Sequence, residues 1–346
     1  MAGAHTAEAT GQPDGGPRRG TAGGRGAQRL RRALGRWGGE GAWRRGLVPA
    51  VLALLLALAL SAHARIPNSI GNLGSLWETF LPWGGLLIPV LLVAGLLRRS
   101  PTALIALLVP VVVWVSLFGG LVTTKSGAGG DLTVVTHNVN AGNPDPEGTA
   151  RGLIASDADI LALEEVSAAR AGTYRKALRR AYPHHTLAGT VGVWSKYPLS
   201  DSRPVDLRMG WPRALRTTVS TPRGDVAVFA AHLPSVRVQF RAGFTAGQRD
   251  DSASALGEAV SAEKLKRVVL LGDLNGTMND RALAPVTSQL RSTQGAAGDG
   301  FGFSWPASFP MARIDQIMVK GVEPVSSWSL PETGSDHLPV AASINL

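Results

Sequence analysis

The chain changes its hydrophobic rhythm twice. Up to Trp43 large apolar residues are scarce among Gly, Ala and Arg. Between Gly46 and Val122 they form three long runs, and from Asp131 onward they come in short groups separated by polar turns. The first segment, residues 1–45, cannot bury a core and is expected to be a disordered basic tail. The runs, about 46–64, 80–97 and 101–122, carry no Asp, Glu, Lys or Arg. Each is about as long as needed to cross a hydrocarbon layer of about 30 Å. Trp43, Trp77 and Trp83 lie near their ends, as interfacial aromatics do. Pro49, Pro89 and Pro110 inside them are tolerated in membrane helices. Three transmembrane helices are therefore expected. A cleaved signal peptide competes, because Ala62-His63-Ala64 resembles a processing site. The long basic stretch before it and the two further runs after it argue against cleavage.

Residues 123–130 read as a short linker, and 131–346 as a folded domain. Nine residues, "TTKSGAGGD", reach about 30 Å at most, so the domain stays close to whatever holds the helices. Within it, "LTVVTHNVN" has the Val/Thr content of a strand, with Leu132, Val134, Thr136, Asn138 and Asn140 on one face. "ARGLIASDADILALEEV" reads as helix, turn and strand. "VGVWSKYPL", "RVVLLGDLN", "ARIDQIMV" and "LPVAASINL" supply more strands, a hairpin is centred on Pro222 to Asp225, and Gln248–Leu265 is helical in pattern. Strands mixed with helices and hairpins predict an α/β sandwich with mixed sheets.

Charge changes this picture in one respect. The chain has 346 residues and a net charge of +10, but residues 1–46 hold nine Arg against three acids. Residues 125–346 hold 23 basic against 21 acidic residues, too balanced for a nucleic-acid footprint. The tail and the turn at Arg98–Arg99 mark the cytoplasmic side by the positive-inside rule. Three crossings then leave the domain outside the cell, attached to the plasma membrane. Cysteine is absent, which excludes disulfides and thiolate chemistry.

The candidate chemistry sits at strand ends. In "VVLLGDLNG", Asp273 and Asn275 are two apart and would project together from an extended strand, with Gly272 allowing close approach. Asn138, Glu165 and His232 close other strands, Asp315 lies in "ARIDQIMV", and Asp336-His337 precede the last strand. Singly, each has a structural use: Asp and Asn build turns, and a lone His is commonly a satisfied half-buried one. Together they are hard oxygen donors with imidazoles, a set suited to Mg²⁺ or Mn²⁺.

The ordered motifs "THNVN", "ADILALEEV", "AAHLPS", "LLGDLNG", "ARIDQIMV" and "GSDHLPV" resemble the endonuclease/exonuclease/phosphatase (DNase I-like) superfamily. The resemblance implies a four-layer α/β sandwich, two packed sheets flanked by helices, with the site at one rim. It implies that Asn138 and Glu165 hold the metal, with Asp336 beside it. It implies that Asp273 orients or deprotonates water, that Asn275 and His232 contact phosphate, and that Asp315 holds the imidazole of His337. Asn140 stands where some nuclease members have a second acid, and Glu164 where Gln is common. The chain as a whole is similar to the VanJ-type teicoplanin-resistance membrane proteins of actinomycetes, through its three apolar runs and the tract "GFGFSWPASFPMARIDQI". That similarity implies hydrolysis of an isoprenoid (undecaprenyl-type) pyrophosphate in cell-wall metabolism, with possible glycopeptide resistance. A membrane and a lipid-linked phosphate are thus the expected partners. A surface-tethered DNase or RNase, or a catalytically idle membrane-bound binding module, are the alternatives.

Overall fold

The computed structural model describes residues 41, 43–69, 71–239 and 243–346. The expected basic tail lies outside the described residues except at 41 and 43–45.

From Leu132 onward, alternation along the strands decides the architecture. With strands numbered in chain order, one sheet runs β13 (Glu323–Ser329), β14 (Val340–Asn345), β1 (Leu132–Asn138), β2 (Ile160–Glu164), β4 (Val191–Ser195), β3 (His184–Ala188). The other runs β11 (Arg291–Ser292), β12 (Asp315–Lys320), β10 (Val268–Asp273), β7 (Gly224–His232), β6 (Ala214–Thr221), β5 (Leu199–Pro204). A separate ribbon pairs β8 (Arg237–Gln239) with β9 (Gly243–Thr245). Both large sheets are mixed: β1 runs parallel to β2 and antiparallel to β14, and β10 parallel to β7 and antiparallel to β12.

Side chains one residue apart enter different layers. Val269 and Leu271 of β10 pack between the sheets with Leu132, Val134 and Ile160. Val268 and Leu270 point the other way, onto Leu256 and Val260 of the helix Gly247–Ser261. On the first sheet's far side, Val135 and Leu161 meet Leu153 and Tyr174 of the helices Pro146–Ala155 and Ala168–Leu178. Period-two burial on both faces of each sheet requires cover on both sides, which gives helices, sheet, sheet, helix.

The three apolar runs, expected to be three transmembrane helices, take unlike forms. α1 (Leu47–Ser61) has 15 residues, a rise of about 22 Å. The second run is bent: α2 (Leu73–Thr79) meets the stretch Leu81–Leu97, which includes α3 (Leu87–Leu97), at 77°. The break falls at Phe80–Gly85, where Pro82 and two glycines weaken the helix. Among the described residues one helix, Pro101–Leu121, is long and apolar enough to cross a membrane, or two if the bent pair is one span. Its main part is α4 (Pro101–Phe118), capped by the Ser100 hydroxyl, which accepts from the Ala103 amide.

The linker is no free leash. Lys125 N donates to Asp299 Oδ1 (2.8 Å), Gly127 N to Val325 O (2.7 Å), and Ser343 Oγ to Gly129 O (2.8 Å). The helices also dock on the domain. Glu78, fully buried, receives Arg281 Nε at 2.9 Å, and Trp83 Nε1 donates to Met311 O at 2.8 Å. Phe301 joins the cluster of Leu56, Leu60, Leu81 and Phe118.

Candidate active site

Strand register alone assembles much of the site. In the second sheet Asp273 stands opposite His232 of β7 and opposite Asp315 of β12. This close packing needs Gly272, because a Cβ there would lie 1.9 Å from Ala231 O. In the first sheet Asn138 ends β1 opposite Glu164 of β2. Glu165, the next residue, turns off the strand at φ +57°. The sheets pack with these ends at one rim, so residues far apart in sequence meet.

Asn138, Glu165, Asp273, Asn275, Asp336 and His337 all line one cavity of about 420 Å³. Asn138 Nδ2 donates to Asp273 Oδ2 at 3.1 Å. Asp273 and Asn275 do not meet as neighbours on an extended strand. Asn275 has φ +46°, and its amide donates to Asp273 Oδ1 at 2.9 Å, so a turn closed by the Asp side chain joins them. Asn140, expected on the β1 face, likewise leaves the strand at φ +57°, and its Nδ2 reaches Asp336 Oδ1 at 2.9 Å. His337 Nδ1 lies 2.9 Å from Asp315 Oδ2, while its Nε2 is 3.8 Å from Asp273 Oδ2. His232 Nε2 is 3.6 Å from Asp273 Oδ2 and 3.8 Å from Glu165 Oε1.

These contacts set protonation. Burial alone would lower the His337 pKa, but the Asp315 and Asp273 carboxylates outweigh it and raise it to about 10. His337 is thus an imidazolium donor at neutral pH, with its ring fixed by Asp315. His232 goes the other way: burial, then the charges of Arg213 and His337, push it well below the usual histidine value. Two histidines at one rim are therefore one charged and one neutral. Burial lifts Asp273 above the ordinary carboxylate range, with Asp315 adding to the effect and His337 opposing it. Glu164 is buried and also raised, by burial and then by Asp315 and Asp273, while Thr136 Oγ1 donates to its Oε1 at 3.1 Å. Burial therefore disfavours the charged form of Glu164, which draws this position toward the polarity of the Gln common there.

The donors suit a hard divalent cation. Asn138, Glu165 and Asp336, all in the cavity lining, offer oxygen as their ligand atoms. Asp273, Asp315 and His337 add ligand atoms within 4.8 Å of one another. The carboxylates gathered here favour positive charge. Bound there, the ion would neutralise charge developing on phosphate oxygens.

Sequence reasoning missed several contributors. Arg213 lies against the His232 imidazole and 5.2 Å from the Trp211 ring centroid. Ser304 Oγ donates to Asp315 Oδ2, and Ser335 Oγ to Asn138 O at 2.6 Å. Thr79 and Phe80, from the apolar region, also line the cavity. Ser335 and Ser304 stand inside quoted stretches, "GSDHLPV" and "GFGFSWPASFPMARIDQI", but only the tertiary contacts reveal what they hold; Arg213, Thr79 and Phe80 stand in no site motif.

With the geometry in view, comparison with known proteins narrows the reading. Residues 135–337 match the model of the Endonuclease/Exonuclease/phosphatase family. No curated protein sequence matches the chain. Among solved structures, D. rerio TDP2 complexed with single-strand DNA product aligns with a TM-score of 0.53 at 15% identity, covering 62% of this chain and 99% of that one. Beta toxin 275-280 from Staphylococcus aureus gives 0.50 at 15%, covering 61% and 99%. A family protein from Bacteroides thetaiotaomicron gives 0.50 at 17%, covering 62% and 97%. These likenesses speak to the fold.

Proposed function

The chain belongs to the endonuclease/exonuclease/phosphatase family, metal-dependent hydrolases of phosphate esters, and from that premise we propose that its substrate is a membrane-borne phosphoester, with an isoprenoid pyrophosphate the favoured case. The observation that carries this reading is the position of the cavity. It opens where the catalytic domain meets helices whose outer faces are exposed and apolar, including Leu54, Leu58, Leu108 and Val112.

In this reading the helices anchor the protein in the plasma membrane, with the domain extracytoplasmic. Charge placement supports it. Arg98 Nη1 reaches Arg45 O and Thr102 Oγ1 reaches Trp43 O, so the basic ends of α1, α3 and α4 gather together. The opposite ends meet the domain: Arg281 Nη2 donates to His63 O, Trp83 to Met311 O, and Phe301 packs with Trp114 and Phe118. A basic cytoplasmic end and a domain at the other end is the arrangement the positive-inside rule favours. Mg²⁺ or Mn²⁺ held by Asn138, Glu165 and Asp336 would supply electrostatic stabilisation of the phosphoryl oxygens. Asp273 accepts the proton of the attacking water, whose oxygen bonds to phosphorus as the bond to the leaving oxygen breaks. His337, held by Asp315, donates to the phosphoryl group, and Asn275 and the neutral His232 hold it in line. With a pyrophosphate, the products are inorganic phosphate and the lipid monophosphate, the form a cell-wall carrier must regain.

Single-stranded nucleic acid is the competing substrate, favoured by Trp211, half exposed beside Arg213 and able to stack on a base. Full-length protein with Mg²⁺, offered a polyprenyl pyrophosphate, plasmid DNA and single-stranded RNA, decides between them. Phosphate released from the lipid alone is the expected result; cut nucleic acid with untouched lipid would refute it.

A further inference from the structure

We propose that the apolar region completes the active site: Phe80, with Thr79, forms a specificity wall that receives the hydrocarbon adjoining the phosphate of an amphiphilic phosphoester. The inference rests on the membrane-borne substrate reading above and names the residues that would enforce it.

The cavity lining carries the phosphate chemistry in Asn138, Glu165, Asp273 and His337. The same lining includes the apolar side chains of Phe80, Val236 and Ile314, with Thr79 beside Phe80. Phe80 sits at the break in the bent helix and has little freedom to swing away. Two residues before it, Glu78 accepts from Arg281 Nε at 2.9 Å, and its carbonyl accepts from Thr277 Oγ1 at 3.2 Å. Three residues after it, Trp83 Nε1 donates to Met311 O at 2.8 Å and the indole stacks on Phe303 at 5.7 Å. Both anchors tie the backbone on either side of Phe80 to the catalytic domain, so moving that backbone segment away from the cavity means breaking one of them.

A second recess has matching chemistry. Two residues after Phe80, Pro82 begins the lining of a separate apolar groove of about 530 Å³ between α3 and α4, with Trp83, Ile88, Trp114, Val115 and Phe301. A ligand with its phosphate among the rim carboxylates and His337 would share its cavity with the Phe80 ring, and a longer hydrocarbon would be directed on toward that groove. A fully water-soluble phosphoester would leave both unused. An amphiphile would cover them, and each added apolar group would gain binding.

The test uses full-length protein in detergent micelles and a series of alkyl and prenyl pyrophosphates of rising chain length, with matched alkyl phosphodiesters. For the wild type, kcat/KM should rise about ten-fold or more from the shortest to the longest member. Phe80→Ala should flatten that rise to about two-fold, chiefly through KM, and Phe80→Leu should restore most of it. An unchanged slope in Phe80→Ala would overturn the proposal, even with every rate reduced in parallel, because a merely structural role predicts that pattern. A wild type indifferent to chain length would overturn it equally. Should only the diesters turn over, with the chain-length slope still abolished by Phe80→Ala, the wall stands and the pyrophosphate reading falls.

Discussion

The two β-sheets and the N-terminal helices are built from the same Val, Leu, Ile and Ala, and treat them in opposite ways. Val134, Ile160, Val269 and Leu271 are fully buried between layers. Val112 of α4 is 67% exposed and Leu108 61%, with similar residues along α1 and α3. In the sheets, alternation lets each strand hide its apolar residues from water. In the helices apolar residues run all round, so packing one face leaves another uncovered. A helix that is apolar on every side needs an apolar surrounding. The sheets satisfy their apolar residues within the chain and the helices do not; under the membrane reading proposed above, a hydrocarbon layer would cover those helix faces and the catalytic rim would lie near its edge.

That contrast can be broken from either side. The largest effect is expected at the rim: removing divalent metal with a chelator should abolish hydrolysis, and adding Mg²⁺ or Mn²⁺ should restore it, with no change in detergent requirement. Next, Asp273→Ala and His337→Ala should each lower kcat by about two orders of magnitude or more, with circular dichroism unchanged. Near-normal turnover in either would show that the rim was misassigned. On the helical side, Val112→Asp should weaken insertion by about 3 kcal/mol, read as the share of protein recovered with membranes. The same substitution would be almost silent on a helix facing water. At the junction, Glu78→Gln should lower stability by about 1 kcal/mol in thermal unfolding, because it replaces one of the two carboxylate oxygens that accept from Arg281 in a buried contact. The smallest change is expected at the exposed Arg291–Glu323 pair, where Arg291→Ala should cost about 0.5 kcal/mol or less. A Glu78 effect as small as that of Arg291 would mean that helices and domain are only loosely associated.

Much of this was legible along the chain, for a physical reason. A buried strand ending in a polar or charged residue marks itself locally, so β1, β2, β7 and β10, which end in Asn138, Glu164, His232 and Asp273, could be read from single segments. The edge strands β3, β5 and β13 were harder, since runs of exposed positions such as Asp201 and Ser202 erase the period. The pairing of Asp273 with Asn275 was legible in its residues but not in its geometry. Spacing implied a shared strand face, whereas a positive φ at Asn275 and an Asx-type hydrogen bond make the contact. The bend at Phe80 and the docking of linker and helices had no local signature, because Glu78 and Arg281 are 203 residues apart.

By itself the sequence determined the division between apolar helices and α/β domain, the mixed-sheet class, and the oxygen and imidazole groups available to a divalent ion and a phosphate. Those follow from hydrophobic period and residue chemistry, which act over a few neighbouring positions. Only the folded chain pushes the pKa of His337 up and that of His232 down, raises that of Glu164, and brings Thr79 and Phe80 into the same cavity lining as Asp273. Burial and Coulomb interaction depend on distances between residues that the chain order does not contain.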